Sequence, residues 1–280
     1  MPDAKQIADL VERVPDLDKF AKIHGPTWDQ MAAILDPILA GGRDSLVALI
    51  DLLKPVDNGD DWKVRYVIHA MAVYVTRPGK EGQRKMASDA VAAQLGGDRP
   101  HPIQKFLILE LKWFGGPEST ATLGKLVADE DMYAEATHAL VSVGGDDVAA
   151  HFRAALPDAK DRRRTATIQA LGTLRDAKSA DALREALGDT SSDTRQIAAW
   201  ALARIADPAA VSPVTAAADK AEGFERVKTD SAALLLAENL AAAGKKDDAR
   251  KVYQHLIAKR TGVEEAYLRD AAERGLKSVG

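Results

Sequence analysis

Histidines, tryptophans and runs of carboxylates are the residues of this 280-residue chain that could do chemistry. The histidines are His24, His69, His101, His138, His151 and His255. A helical zinc pair needs two of them four residues apart on one face, and no two have that spacing. There is no cysteine, which excludes disulfides, thiolate metal sites, a cysteine nucleophile and thioether-linked haem. Carboxylates gather at Asp129, Glu130 and Asp131, at Asp146 and Asp147, and at Asp247 and Asp248. These runs lie where helical patterns begin, so they meet the positive end of a helix dipole. They lack the alternating ligands and turn glycine of a calcium loop. The stretches "GGRDS" (41–45) and "GGDDV" (144–148) could hold an anion at a helix N-terminus but read more simply as turns. No Gly-x-Ser-x-Gly, phosphate-cradling glycine loop or dinucleotide fingerprint is present. The expectation is a chain with no catalytic residue, no cofactor and no metal, hence not an enzyme.

The elements that would position any site are helices. Apolar residues make up 46% and charged residues 29% of the chain, the balance of a folded water-soluble protein. Alanine and leucine dominate and β-branched runs are scarce, which favours helix over strand. No run of 18 apolar residues exists, so no membrane span is expected. A net charge of −4 speaks against nucleic acid as the main partner. The start "MPDAKQIADLVERVPDLDKF" has no basic n-region or apolar h-region. The expected compartment is the cytoplasm if Met1 is the native start, and the periplasm or exterior if a signal peptide has been removed.

The organisation shows when the chain is aligned on the dipeptide Ala-Leu. Ala139, Ala170 and Ala201 are each followed by leucine at a spacing of 31 residues, and Arg164, Arg195 and Arg226 keep the same spacing. Turn residues Gly145, Asp176 and Asp207 follow it too. Each unit reads as two helices: "SADALREALGD" with one apolar stripe, then "SSDTRQIAAWALARIAD" with Ile197, Ala201, Leu202 and Ile205 on another. Ser192 or Asp193 is the expected N-cap of the second helix. Helices this short are marginal alone and bury their stripes only by stacking on a neighbouring pair. Asp36-Pro37 marks an expected break or kink near the N-terminus.

These residues carry a resemblance. "DTRQIAAWALARIADPAAV" from Asp193 resembles a HEAT repeat of the short bacterial kind, the PBS-lyase HEAT-like type. The pattern is specific over about 117–207 and looser over 44–116. It implies an all-α, right-handed α-α superhelix, a solenoid of stacked antiparallel helix pairs. The second helices would line a concave face, and Asp193, Arg195, Arg164 and Arg226 would be structural links between repeats. The C-terminal "LLLAENLAAAGKKDDARKVYQHLIAKRTG" resembles a tetratricopeptide hairpin through Ala237, Gly244, Ala249 and Tyr253, although Leu256 departs from the small residue usual there. The expected layout is one solenoid over 1–280. It comprises N-terminal capping helices over 1–42, HEAT-like repeats over 43–218, and a tetratricopeptide-like hairpin with a capping helix over 219–280.

The resemblance also sets the function classes. HEAT-type iron hydroxylases carry repeated His-Glu pairs, and no histidine here precedes glutamate. Phycobilin lyases share the repeat, but nothing beyond the repeat supports that activity. HEAT-like enzymes that excise alkylated bases use tryptophans on a basic concave face; here Trp28, Trp62, Trp113 and Trp200 are scattered over different repeats. The expected function is therefore a non-enzymatic scaffold presenting a concave groove to another protein, with a groove enzyme of the glycosylase or lyase type as the alternative. In register, the residue before each aligned alanine is His138, Gln169, Trp200 and Ser231. These four, with Tyr66, His69, Lys63 and Tyr74 on the 61–76 helix, are the inward-facing candidates. Trp200 either lines the groove or fills a gap between repeats. "HPIQKFLILELKWFGG" (101–116) is apolar nearly all round, which predicts burial on several sides or an interface with another chain, leaving open a place in an oligomer or larger complex.

Overall fold

A computed structural model describes residues 2–16, 18, 20, 25–55 and 59–280, and among them only helices and connecting segments occur, with no strand. His24 lies outside the described residues. No described helix is long and apolar enough to cross a membrane. The fold is all-α, with consecutive helices stacked as antiparallel pairs. The chain divides into two compact units, Met1–Gly144 and Gly145–Gly280.

In the first unit α1 (Ala4–Val11) and α2 (Trp28–Ala40) precede α3 (Gly42–Ile50). The pairs continue with α4 (Trp62–Val75), α5 (Glu81–Ala92), α6 (His101–Phe114), α7 (Pro117–Leu126) and α8 (Tyr133–Val143). One layer is α4, α6 and α8, with α6 packed on both; the other is α3, α5 and α7. Ile68, Met71, Leu107, Ile108, Leu111 and Phe114 are buried between them. Pro37 does not end a helix, because α2 runs through it to Ala40. Tyr74 is buried rather than inward-facing. Its hydroxyl donates to Asp36 Oδ1 at 2.8 Å, and Arg77 and Lys80 lie over its ring.

In the second unit α10 (Asp161–Thr173), α12 (Ser192–Ile205) and α14 (Gly223–Ala242) lie side by side. They are backed by α9 (Asp146–Ala155), α11 (Ala180–Ala186) and α13 (Val211–Lys220). The last two helices, α15 (Lys246–Lys259) and α16 (Ala266–Ser278), pack on α14 and close this unit. The N-cap of α12 is Ser191, not Ser192 or Asp193; its hydroxyl accepts from the Thr194 amide at 3.4 Å. At Gly172 α10 lies too close to α12 for a side chain, since a Cβ there would lie 2.7 Å from Ala201 Cα and 2.8 Å from Trp200 Cζ3. At the C-terminal end Tyr253 is buried against Gly275, where a Cβ would sit 2.3 Å from its ring.

The 31-residue register is held by ion pairs. Arg164 Nε donates to Asp189 at 2.9 Å, and Arg195 grips Glu225 with Nε and Nη2, both at 2.6 Å, while its Nη1 donates to the carbonyls of Asp189 and Thr190. Arg226 Nη2 meets Glu265 at 2.9 Å. Each arginine thus bonds to an acid that follows it in the chain by 25 residues or more. A second set stands on the backing helices. Arg153 donates to Asp176 at 2.6 Å, and Arg184, one period later, binds Asp207. The turns themselves repeat: Arg175 and Ala206, one period apart, both adopt a left-handed backbone with φ of 53° and 58°.

Candidate functional site

The register brings the predicted residues of the second unit to one place. Gln169, Trp200 and Ser231 line a groove of about 640 Å³ across α10, α12 and α14, with Thr165, Asp193, Gln196, Ile197, Lys228, Ala232 and Leu235. On α12 the lining residues fall at 193, 196, 197 and 200, and on α14 at 228, 231, 232 and 235. That is the spacing of one face of a helix. Trp200 does both things its sequence position allowed: one part of its ring packs on Gly172, and the half-buried remainder lines the groove.

The groove keeps polar groups that the fold does not use. Among the described residues the side chains of Gln169, Gln196 and Asp193 make no hydrogen bond or ion pair, and Lys228 only lies over the Phe224 ring at 5.1 Å. Asp193 therefore takes no part in joining repeats. The acid that meets Arg164 is Asp189, and the acid that meets Arg195 is Glu225. The Asp189 carboxyl is held below its usual range by the Ser191 amide first; burial pushes the other way, and Arg164 and Arg195 together tip the balance downward. Thr165, Gln196, Ile197 and Lys228 were not singled out from sequence. Their signal was present, because Gln196 stands one period after Thr165 and Lys228 one period after Ile197.

In the first unit the candidates meet different surroundings. Tyr66 is half-buried on α4, and Lys63 is mostly covered, bridging Glu12 and Asp16 at 2.9 and 2.8 Å. His69 is half-exposed, with Nδ1 3.0 Å from Glu110 Oε2, and its ring meets Trp113 edge-on with centroids 5.9 Å apart. Burial pushes the Glu110 carboxyl up, and the hydrogen bond from His69 offsets only part of that. His138 is exposed on α8, its carbonyl accepting from Ser142 Oγ at 3.0 Å. It belongs to the other unit from Gln169, Trp200 and Ser231. The apolar helix α6 is buried on two sides, yet Leu109 and Trp113 stand 43% and 61% exposed. Among the described residues no three of histidine, aspartate and glutamate come together as a metal site.

A further titratable cluster closes the C-terminal end. Arg260 is 1% exposed and donates to Asp230 and Asp219, both at 2.8 Å. His255 Nε2 also approaches Asp219, at 3.1 Å. Burial pushes the Asp230 carboxyl up despite Arg260; at Asp219 burial is outweighed by Arg260 and His255, which hold it down. Each partner is consumed within the cluster, so it is a fastening between α13, α14 and α15.

A family model described as HEAT repeats matches residues 163–237, a span that takes in α10 from its third residue, all of α12 and every residue named above as lining the groove. No curated protein matches the chain. Among solved structures, the complex of CpcE and CpcF of phycocyanin lyase from Nostoc sp. PCC7120 overlays with a TM-score of 0.35 at 16% identity, covering 95% of this chain and 100% of that one. An engineered protein overlays with a TM-score of 0.31 at 18% identity, covering 84% of this chain and 97% of that one. Overlays this loose carry no functional inference. The match assigns HEAT repeats to residues 163–237, within the stacked helix pairs of the second unit.

Proposed function

We propose that the chain is a non-enzymatic scaffold whose groove across α10, α12 and α14 holds a segment of another protein. One observation carries this. The ion pairs that join the repeats leave the groove's own polar groups, Gln169, Gln196, Asp193 and Lys228, without a hydrogen-bond or ion-pair partner among the described residues, around a half-buried tryptophan. Primary amides both donate and accept, as a peptide backbone does. A tryptophan wall with Ile197 and Leu235 supplies apolar contact area of the kind that dominates binding energy. The opposite charges of Asp193 and Lys228 would fix the direction of the bound segment. The lining contains one carboxylate and one ammonium, with no histidine or second acid to activate a nucleophile, so the groove is suited to holding a ligand rather than transforming it.

The test is selection of linear 12-residue peptides from a display library on the full chain. Selected peptides should lose about tenfold or more in affinity for Trp200→Ala and for Gln196→Ala. Peptides that bind these variants as well as the parent, or no selection at all, would remove the proposal.

A further inference from the structure

The first unit carries a separate surface that the groove does not explain. On α6 the side chains of Phe106, Leu109 and Trp113 follow one another at intervals of three and four residues, so they form one ridge. Phe106 is half-buried, while Leu109 and Trp113 are exposed. From Phe106 to Trp113 the ridge advances seven positions, roughly 10 Å at 1.5 Å per residue, the length of two helical turns. Side chains of α4 flank it: Arg65 lies over the Phe106 ring at 4.7 Å, and His69 meets Trp113 edge-on.

The charges around this ridge are sorted by depth. In the Arg65–Asp61 pair the cation is 28% and the acid 11% exposed; in His69–Glu110, 50% and 7%; in Lys105–Glu135, 37% and 23%. In each pair the carboxylate is the inner member and the basic group the outer one. Lys112 adds an exposed ammonium that, among the described residues, has no acidic partner. Of the acids that reach solvent, Glu12, Asp16 and Asp131 pair with Lys63 and His101 at the first residues of α4 and α6, and Asp60 and Asp98 stand just before those helices, at the end of the surface away from Leu109 and Trp113. What meets a partner is therefore an apolar stripe with a basic border.

We infer that this ridge docks an acidic amphipathic helix of a partner protein, its apolar residues at i, i+3 or i+4, and i+7 seated on Phe106, Leu109 and Trp113 and its carboxylates facing Lys112, Arg65 and His69. Two turns of apolar side chains match two turns on the partner, and complementary charge sets orientation and speeds encounter. A polyanionic strand is a poorer fit, because tracking a phosphate backbone requires a row of unpaired cations, and here all but Lys112 already face an acid of this chain.

The test is selection of 16-residue peptides from a random display library on the full chain, with Leu109→Glu as counter-selection. The substituted position is exposed, so the variant should fold. The expected result is enrichment of peptides with spaced leucine, isoleucine or phenylalanine and a net negative charge. Their affinity should fall about tenfold or more with Trp113→Ala, fall about threefold with Lys112→Glu through slower association, and stay unchanged with Trp200→Ala. That last result separates this surface from the groove of the second unit. The inference is overturned if the selected peptides are basic or uncharged, or if none is enriched. It is also overturned if a poly-dT oligonucleotide or phosphatidylglycerol vesicles bind the ridge in their place, or if sedimentation shows a dimer of this chain that Leu109→Glu dissociates.

Discussion

On α10, α12 and α14 the arginines at equivalent repeat positions reach the acids and carbonyls of neighbouring elements, and Asp193 and Lys228 in the adjoining groove have no acidic or basic partner among the described residues. On α4 and α6 the ion pairs lie across the candidate surface itself, with acids beneath and basic groups outside, and an apolar ridge stands between them. The two regions share a helix-pair plan and differ in where their charges are used. In one, charge holds the stack and leaves the groove's polarity available. In the other, charge already borders the surface on which a partner would rest. Repeated residues are therefore mostly fastenings, and the features that distinguish one repeat from another are where binding is to be sought.

Four changes would break or sharpen this contrast. The largest effect is expected from Arg260→Ala, which leaves Asp230 buried without its cation and should cost about 3–5 kcal/mol. Hydrogen exchange should show the loss in α13–α16, with the helices of the first unit still protected; equal loss in both units would mean that they do not differ in how they are held. Next comes the pair Arg195→Ala and Asp193→Ala. The first removes the bidentate bond to Glu225 at a partly exposed site and should cost about 1–2 kcal/mol in chemical denaturation. The second should leave stability nearly unchanged and alter only peptide affinity. If Asp193→Ala were the more destabilising, the division between fastening and groove would fail.

Ala206→Gly should stabilise by about 1 kcal/mol, because the left-handed turn at 58° strains a residue with a Cβ. Destabilisation would show that the methyl group, 8% exposed, packs more than it strains. The smallest effect, read by its sign, concerns Glu110→Gln. Burial raises the folded carboxyl above its ordinary 4.5, so the native state binds the proton more tightly than the unfolded chain. The contribution of Glu110 to stability is greatest at low pH and declines as pH rises from that ordinary value through the raised one. The variant lacks this decline, so its melting temperature should gain on the parent's as pH goes from about 4.5 to 7. The opposite trend would mean that the bond to His69 outweighs burial.

The groove was partly legible before the structure. Gln169, Trp200 and Ser231 share one register position, and helical geometry alone puts such positions on one face. Their neighbours Gln196 and Lys228 obey the same register a turn away. The role of Asp193 was not legible, because a spacing of two residues does not reveal which way either side chain turns. Nor was the pairing of Arg153 with Asp176 and Arg184 with Asp207. Both ends of those pairs kept the period, but which outer side chain reaches which turn depends on how closely the helices stack.

By itself, then, the sequence determined the helices, their 31-residue repetition and the residue types offered to the inner face. Those follow from local periodicity and from the need of short amphipathic helices to bury their stripes. Tertiary structure alone decided that Trp200 is shared between Gly172 and the groove. It also decided that Tyr74 is buried with its hydroxyl on Asp36, and that the acids beneath the α6 ridge are covered while Leu109 and Trp113 are not. Depth and partner choice arise from distances between helices remote in sequence, and no spacing along the chain encodes them directly.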